Sequence, residues 1–406
     1  MTEIFHHLKT ISSEFYKIFR IIFRGWHLRK VINFSNFFKL LCLYIFAIVW
    51  VIFVEMDYSK NFWTKAIHGN FSDKRFSFYS VSDRIGESTL YDRIVTVNDK
   101  LELDYSAFKF SEPLSEFFLS RHFYYVSTSI VNYIFKPQFN LALTHHVNIL
   151  PWGYNVTYLN MPLDSLFDNN KDFTNKLSHL HEYDAYADLY SLVHGSNKLL
   201  SHMIKKSGKN KPVIALYLAQ EATGYSKTPM NKALITGTLW GCNRKSLRIA
   251  SALKKLAEEE LLEAVGLRDF LGFLGKSYLG RMEDFGKPLE VIRQLQQKYG
   301  ISLIIHNQEH MLDGIPTSRI SEAASSGGLI ISDQNLFLTK FFGDSVLYFD
   351  AFGSEEKVYL QIKAHIKWAQ SNPDQAHSKT KKAYQIFMDN FTLEEQLGRL
   401  FERVEL

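Results

Sequence analysis

From about residue 60 to about residue 350, short apolar runs alternate with longer mixed stretches, and each half of that region carries its own series of elements. Residues 75–81, 93–97, 140–144, 156–159, 190–193 and 213–217 each read as a strand, with a helical pattern over 197–206 ahead of the last. A second series begins with a strand at 233–241 that runs into a glycine-bearing turn, followed by a helix at 245–262. It continues with a strand at 269–274, a helix at 289–299, and strands at 302–306, 329–331 and 346–349. Strands separated by helices imply parallel sheets with right-handed crossovers. Between the two series, residues 220–231 hold Gly224, Ser226, Thr228 and Pro229, a linker composition. The pattern predicts an α/β protein of two Rossmann-like domains facing a cleft, over 59–224 and 225–352. Beyond Gly353 the period is helical, with a break near Ser371-Asn372-Pro373-Asp374 and a cap at Thr392 ahead of Glu394 and Glu395.

The chain before residue 60 has a different pattern. Phe15, Ile18, Phe19, Ile22, Phe23 and Trp26 recur at helical spacing among Lys17, Arg20 and Arg24, which predicts a basic amphipathic helix. Residues 40–54 then form an unbroken apolar run, extended to 37 if Lys39 is tolerated. Such a run reads as an anchor that spans or dips into a membrane, or as a buried core helix. A cleaved signal peptide is disfavoured, because the run starts late and no small-residue cleavage site follows it.

Composition adds two constraints. The net charge is +5, and within the first 39 residues Lys9, Lys17, Arg20, Arg24, Arg29, Lys30 and Lys39 face only Glu3 and Glu14. That local excess points to anionic lipid and away from nucleic acid, since no aromatic-interleaved basic array recurs later. Residues 1–58 are therefore expected to form a basic amphipathic helix plus a hydrophobic anchor, with 1–56 meeting a membrane surface. Cys42 and Cys242 are the only cysteines, so neither a disulfide framework nor a cysteine metal site is supported.

In a two-domain α/β protein a ligand sits outside the carboxyl ends of the strands, so the residues that follow each strand are the candidates for chemistry. Gly237 and Thr238 follow the first strand of the second series, where small or absent side chains let backbone N–H groups approach a phosphate; a structural turn is the alternative. Arg244 and Lys245 open the next helix, where positive charge suits a leaving diphosphate or simply solvent. His306 and Asn307 lie at the end of the strand at 302–306. Further on, Pro316 stops any preceding helix, Thr317 or Ser318 caps the next, residues 319–326 form it, and Gly327-Gly328 turns the chain into a buried strand. The free N–H groups and positive dipole end of that helix suit an anion, with Thr317, Ser318 and Arg319 at its mouth. In the first series His145 and His146 follow the strand at 140–144; a His there can act as acid or base, or hydrogen-bond a sugar. Adjacent His residues in extended chain point to opposite faces and make a poor metal pair. The sequence has no Walker A loop, HExxH pair or Gly-x-Ser-x-Gly elbow.

The order Gly314-Ile-Pro-Thr-Ser-Arg319-Ile-Ser-Glu322-Ala-Ala-Ser-Ser-Gly327-Gly328-Leu-Ile-Ile-Ser-Asp333, followed by Phe342-Gly-Asp-Ser-Val-Leu-Tyr-Phe-Asp350, resembles the C-terminal domain of GT-B glycosyltransferases. It is most similar to the branch that includes the spore-maturation-protein-like transferases. The resemblance implies that Glu322 accepts hydrogen bonds from the donor ribose hydroxyls, as an ionised carboxylate can. It also implies that Arg244 and Lys245 lie near the donor phosphates, that His306 and Asn307 border the donor base, and that a helix within 377–405 crosses back to the first domain, the C-terminal helices occupying 353–406. The sequence departs from many retaining relatives at Gly314, which stands where they carry an acid; Asp313 is adjacent.

The implied activity is transfer of a sugar from a nucleotide-sugar donor to a hydroxyl of a glycan, lipid-linked or protein acceptor, in surface glycan or glycolipid synthesis. His145, His146 and Arg244 would be the catalytic side chains. No metal or other cofactor is called for, and the expected location is the cytoplasmic face of a membrane. Nucleotide-sugar 2-epimerases share this architecture, and a non-catalytic, membrane-recruited nucleotide- or sugar-binding protein is a third possibility. Removal of Glu322 or Arg244 is expected to depress donor turnover without unfolding the chain.

Overall fold

The computed structural model describes residues 34–81, 85–110, 118–142, 154–159, 189–192, 213–217, 219–221, 223–237, 247–266, 274–281 and 288–404. Its first described element is helix α1 (Phe34–Trp50), continued by a π-helical turn over Val51–Glu55. Then come β1 (Met56–Tyr58), α2 (Phe62–His68), β2 (Arg75–Val81), α3 (Ile85–Leu101), β3 (Asp104–Phe110), α4 (Phe118–Phe135), β4 (Phe139–Ala142), β5 (Tyr154–Leu159), β6 (Leu189–Leu192) and β7 (Val213–Ala215). These strands form one sheet in the order β1-β3-β2-β4-β5-β6-β7. Only the edge strand β1 is antiparallel to its neighbour; the other pairings are parallel.

The second sheet is built from β8 (Lys232–Gly237), α5 (Leu247–Glu258), β9 (Leu262–Gly266), β10 (Tyr278–Gly280), α6 (Pro288–Tyr299), β11 (Gly300–Ile304), α7 (Gln308–Leu312), α8 (Ser318–Ser325), β12 (Leu329–Asp333), α9 (Leu336–Phe341) and β13 (Leu347–Phe349). Its order is β10-β9-β8-β11-β12-β13 and every pairing is parallel. Strands β9, β11 and β12 are buried along their whole length, which is why they read as continuous apolar runs rather than alternating ones. Three helices close the chain: α10 (Glu355–Ser371), α11 (Pro373–Asn390) and α12 (Leu393–Val404).

Two expected elements take another form, and strands β1, β3, β9 and β10 were not among those expected. The run 93–97 is not a strand but part of α3, because Leu90, Tyr91, Ile94 and Val97 recur at helical spacing and all four are buried. The helix expected over 245–262 stops at Glu258; Glu260 takes a left-handed conformation at φ +57 and Leu262–Gly266 is strand β9. The amphipathic pattern before residue 34, the helical pattern at 197–206 and, of the strand expected at 269–274, all but Leu274 lie outside the described residues; Leu274 leads into a 3-10 turn.

Helix α12 buries Leu393, Leu397, Leu400 and Phe401, with Phe401 4.7 Å from Phe139 and 6.0 Å from Phe76 between ring centroids. Each such side chain stabilises the docking of the chain end on the first sheet by about 1.5–3 kcal/mol. Thr392 caps the helix by accepting the N–H of Glu395 at 3.2 Å, as its position in the sequence predicts. One hydrophobic core joins Phe76 and Phe78 of the first sheet, Ile304 and Ile330 of the second, and Phe387 of α11. Gly327, at φ +73, lets the segment between the sheets lie against the start of β12: a Cβ there would stand 2.2 Å from Ser226 O.

Helix α1 packs in a different manner. Ile48, Val51 and Ile52 are buried in a cluster with Val131 and Phe135 of α4. Leu41, Leu43, Ile45, Phe46, Val49, Phe53 and Val54 are exposed. Among the described residues no helix is long and apolar enough to cross a membrane.

Candidate active site

Strand β8 delivers Gly237 at its carboxyl end with φ +104, a conformation that side-chain-bearing residues rarely adopt. Against it stands Arg319, in the first turn of α8. Its Nη1 donates to Thr236 O at 3.3 Å and lies 3.6 Å from where a Cβ on Gly237 would be. Arg319 is only part-exposed, and burial lowers its guanidinium from the usual range to about 10, against the opposite pull of Glu322 and Asp333.

Thr317 has the extended backbone of an N-cap, φ −110 and ψ 155, yet its side chain makes no capping hydrogen bond and its buried Oγ1 has no partner among the described residues. The sequence predicts a capped helix; the fold supplies the cap backbone and leaves the hydroxyl unused. The loop before α8 is pinned by Asn335, whose Nδ2 donates to His310 O at 2.8 Å and Ile315 O at 3.1 Å. A rigid loop therefore sets the direction of the α8 mouth.

The ends of β11 and β12 hold a buried pair. The Asp333 carboxylate accepts the backbone N–H of His306 at 2.7 Å and faces its Nδ1 at 2.7 Å, with both side chains fully buried. Nε2 of His306 is buried without a partner. Asn307 accepts the His310 N–H at 2.7 Å through its Oδ1 and so starts α7. His310 is pushed down to about 4 by its burial and by the neighbouring His306.

Glu322 lies one turn behind Arg319 on α8 and is 9% exposed. Its Oε1 faces Nη2 of Arg93 at 3.5 Å, and Arg93 comes from α3 beside the first sheet. Removing Glu322 would therefore strand a buried cation, so its loss carries a stability cost beside any loss of turnover. Alanine at this position confounds folding with chemistry; glutamine is the cleaner change.

The fold thus sets Arg319 of the α8 mouth against Gly237 at the carboxyl end of β8, with Thr317 and Ser318 opening that helix and Glu322 one turn behind. A helix mouth with a guanidinium suits a phosphate, and a carboxylate one turn behind it suits hydroxyls. His306 is enclosed with Asp333, and Asn307 caps a helix. Thr238, Arg244, Lys245, His145 and His146 lie outside the described residues. Among the described residues no three His, Cys, Asp or Glu side chains gather in a way that could hold a metal ion.

No protein-family model matches the chain, and no curated protein matches its sequence. Solved structures do resemble the fold. Trehalose-6-phosphate synthase OtsA is similar with a TM-score of 0.49 at 10% identity, over 82% of this chain and 99% of that one. A glycosyltransferase from Rickettsia africae is similar with a TM-score of 0.48 at 10% identity, over 82% and 98%. A mutant of S. aureus TarM, in complex with fondaparinux, alpha-GlcNAc-glycerol and UDP, is similar with a TM-score of 0.45 at 7% identity; the match covers 66% of this chain and only 55% of the TarM chain. Likeness at that level decides neither the family nor the chemistry.

Two residues of the site were not singled out from the sequence. Asp333 ends a strand, the position that flags candidates elsewhere in the chain. Arg93 falls on the buried stripe of α3 with Leu90, Ile94 and Val97, and a charge on an apolar stripe is a signal once the segment is read as helix.

Proposed function

We propose that the chain is a GT-B glycosyltransferase that moves a sugar from a nucleotide-sugar donor to a hydroxyl acceptor. The observation that carries this reading is Arg319, set between the open backbone of Gly237 and an α8 mouth whose cap hydroxyl has no partner. In this account the α8 mouth and Arg319 hold the donor diphosphate and stabilise the charge that grows as the glycosidic bond breaks. Glu322 accepts donor hydroxyls. Thr238, Arg244 and Lys245 would add to the phosphate side, and His145 or His146 would face the transferring sugar from the first domain. No step calls for a metal. Incubation with nucleotide sugars, with and without acceptor extracts, tests the reading. Transfer that needs an acceptor supports it; conversion of the donor with no acceptor present would make the chain an epimerase, and binding without turnover would make it a binding protein.

The exposed apolar side chains of α1 and of the turn after it support placement at a membrane surface, for which the basic excess in the first 39 residues of the sequence suits anionic headgroups; the cytoplasmic side belongs to the same proposal. Co-sedimentation with vesicles containing phosphatidylserine is expected to fall about tenfold or more when Phe46 and Phe53 are both changed to Asp, because two large apolar contacts are exchanged for charges. Unchanged sedimentation would remove α1 from the membrane contact.

A further inference from the structure

Arg93 belongs to the layer of the first sheet, yet its charge is delivered to the second. It projects from the middle of α3 and is 3% exposed. Nη1 donates to Ala219 O at 2.6 Å, in the segment that joins β7 to β8. Nη2 reaches Glu322 Oε1 at 3.5 Å, and the buried Nε has no partner among the described residues. A guanidinium offers five N–H donors, so these contacts leave a buried cation incompletely satisfied. Charge-assisted pairs ordinarily close to about 2.7–2.9 Å, and this one stands well short of that.

The neighbours narrow what such a residue can do. The Glu322 side chain is almost wholly enclosed, so its orientation is set by the groups around it. Arg319 shares its helix, but Nη1 of Arg319 is directed to Thr236 O beside Gly237. Asp92 and Glu221 add their fields at Arg93, and Glu221 in turn reaches Arg293 at 3.9 Å. Among the described residues, the side chain that reaches the Glu322 carboxylate is that of Arg93.

We propose that Arg93 is a positioning residue of the donor site, holding the Glu322 carboxylate aimed at nucleotide hydroxyls and tying it to the segment that joins the two sheets. This rests on the reading of Glu322 as the hydroxyl acceptor. The planar fork matters, because one prong holds the Ala219 carbonyl and the other the carboxylate; a lysine ammonium does not reproduce that geometry.

Isothermal titration of the full chain with UDP and GDP, and with their 2′,3′-dideoxy counterparts, reads the hydroxyl contact. The wild type should prefer the ribonucleotide of its favoured base by about tenfold or more, the worth of a hydrogen bond to a buried charge. Glu322→Gln should remove most of that preference. Arg93→Gln should cut it to about twofold or less, and Arg93→Lys should fall between. A purely structural Arg93 would weaken both nucleotides alike and leave their ratio unchanged, which overturns the proposal while the donor site stands. If Arg93→Gln fails to fold, Arg93→Lys decides: a reduced ratio supports the role and a wild-type ratio overturns it. Failure of the wild type to bind either ribonucleotide would overturn the donor-site reading and the role of Arg93 with it.

Discussion

Within the first sheet's layer, Ser77 contacts Ser106 at 2.7 Å and donates to Asn132 at 2.6 Å, and Asn132 donates in turn to Asn140 at 2.9 Å. At the carboxyl ends of the second sheet, Thr317 Oγ1 and His306 Nε2 are buried with nothing to bond among the described residues, and Nε of Arg93 is in the same condition behind Glu322. Both regions bury polar groups; one closes its hydrogen bonds on itself and the other does not. A closed network fixes which strands and helices meet. An incomplete one, beside a helix mouth and two guanidiniums, is a place where an incoming ligand supplies the missing partners.

That contrast separates stability from binding, and the largest effect should fall on the closed side. Asp104 is fully buried, and accepts hydrogen bonds from Ser59, Lys65 and the N–H of Ser72. Burial by itself would raise its pKa, but those bonds outweigh it and hold the carboxyl below its usual range. Asp104→Asn should cost about 3 kcal/mol in urea unfolding, with the part owed to the part-exposed Lys65 screened by solvent. Nucleotide affinity should not change. Because the folded-state pKa is depressed, the stabilisation is present above the unfolded carboxylate value and is lost as pH falls through the folded one. The gap between wild type and variant should therefore narrow below about pH 4.

On the open side the order reverses. Arg319→Ala should lower kcat/KM for the donor about a hundredfold, while unfolding free energy shifts by less than about 1 kcal/mol. A loss of stability without loss of turnover would place Arg319 with the closed group. The smallest effect is expected at Gly237→Ala, where the left-handed backbone costs about 1 kcal/mol and the new methyl meets Arg319 at ordinary contact distance. Donor affinity should drop by roughly fivefold, read by titration. Equal affinity would mean that the backbone of β8 does not approach the ligand.

The second sheet was legible because buried parallel strands read as plain apolar runs, as at 302–306 and 329–331. Strand β9 was not, since Leu262–Gly266 continues a helical composition and the stop is Glu260, a non-glycine in the left-handed region. At 93–97 the β-branched residues carry strand propensity locally, while the wider period from Leu90 to Val97 and tertiary burial impose a helix. That one misreading hid Arg93. The places of Gly237 at a strand end and of Arg319 at a helix mouth were marked in the sequence, whereas Glu322 was picked out by the resemblance to GT-B glycosyltransferases. The contact between Arg93 and Glu322 depends on how two sheets pack, and no local pattern encodes it.

The central claim is that the α8 mouth, Arg319 and Glu322 bind a nucleotide-sugar donor. A thermal-unfolding screen of the wild type and Arg319→Ala against a panel of nucleoside diphosphates and nucleotide sugars tests it most directly. A ligand at about a hundred times its Kd adds about 2.7 kcal/mol to the native state, so one base should raise the wild-type transition by several degrees and leave Arg319→Ala unmoved. No shift with any member of the panel, or an equal shift in both proteins, would contradict it.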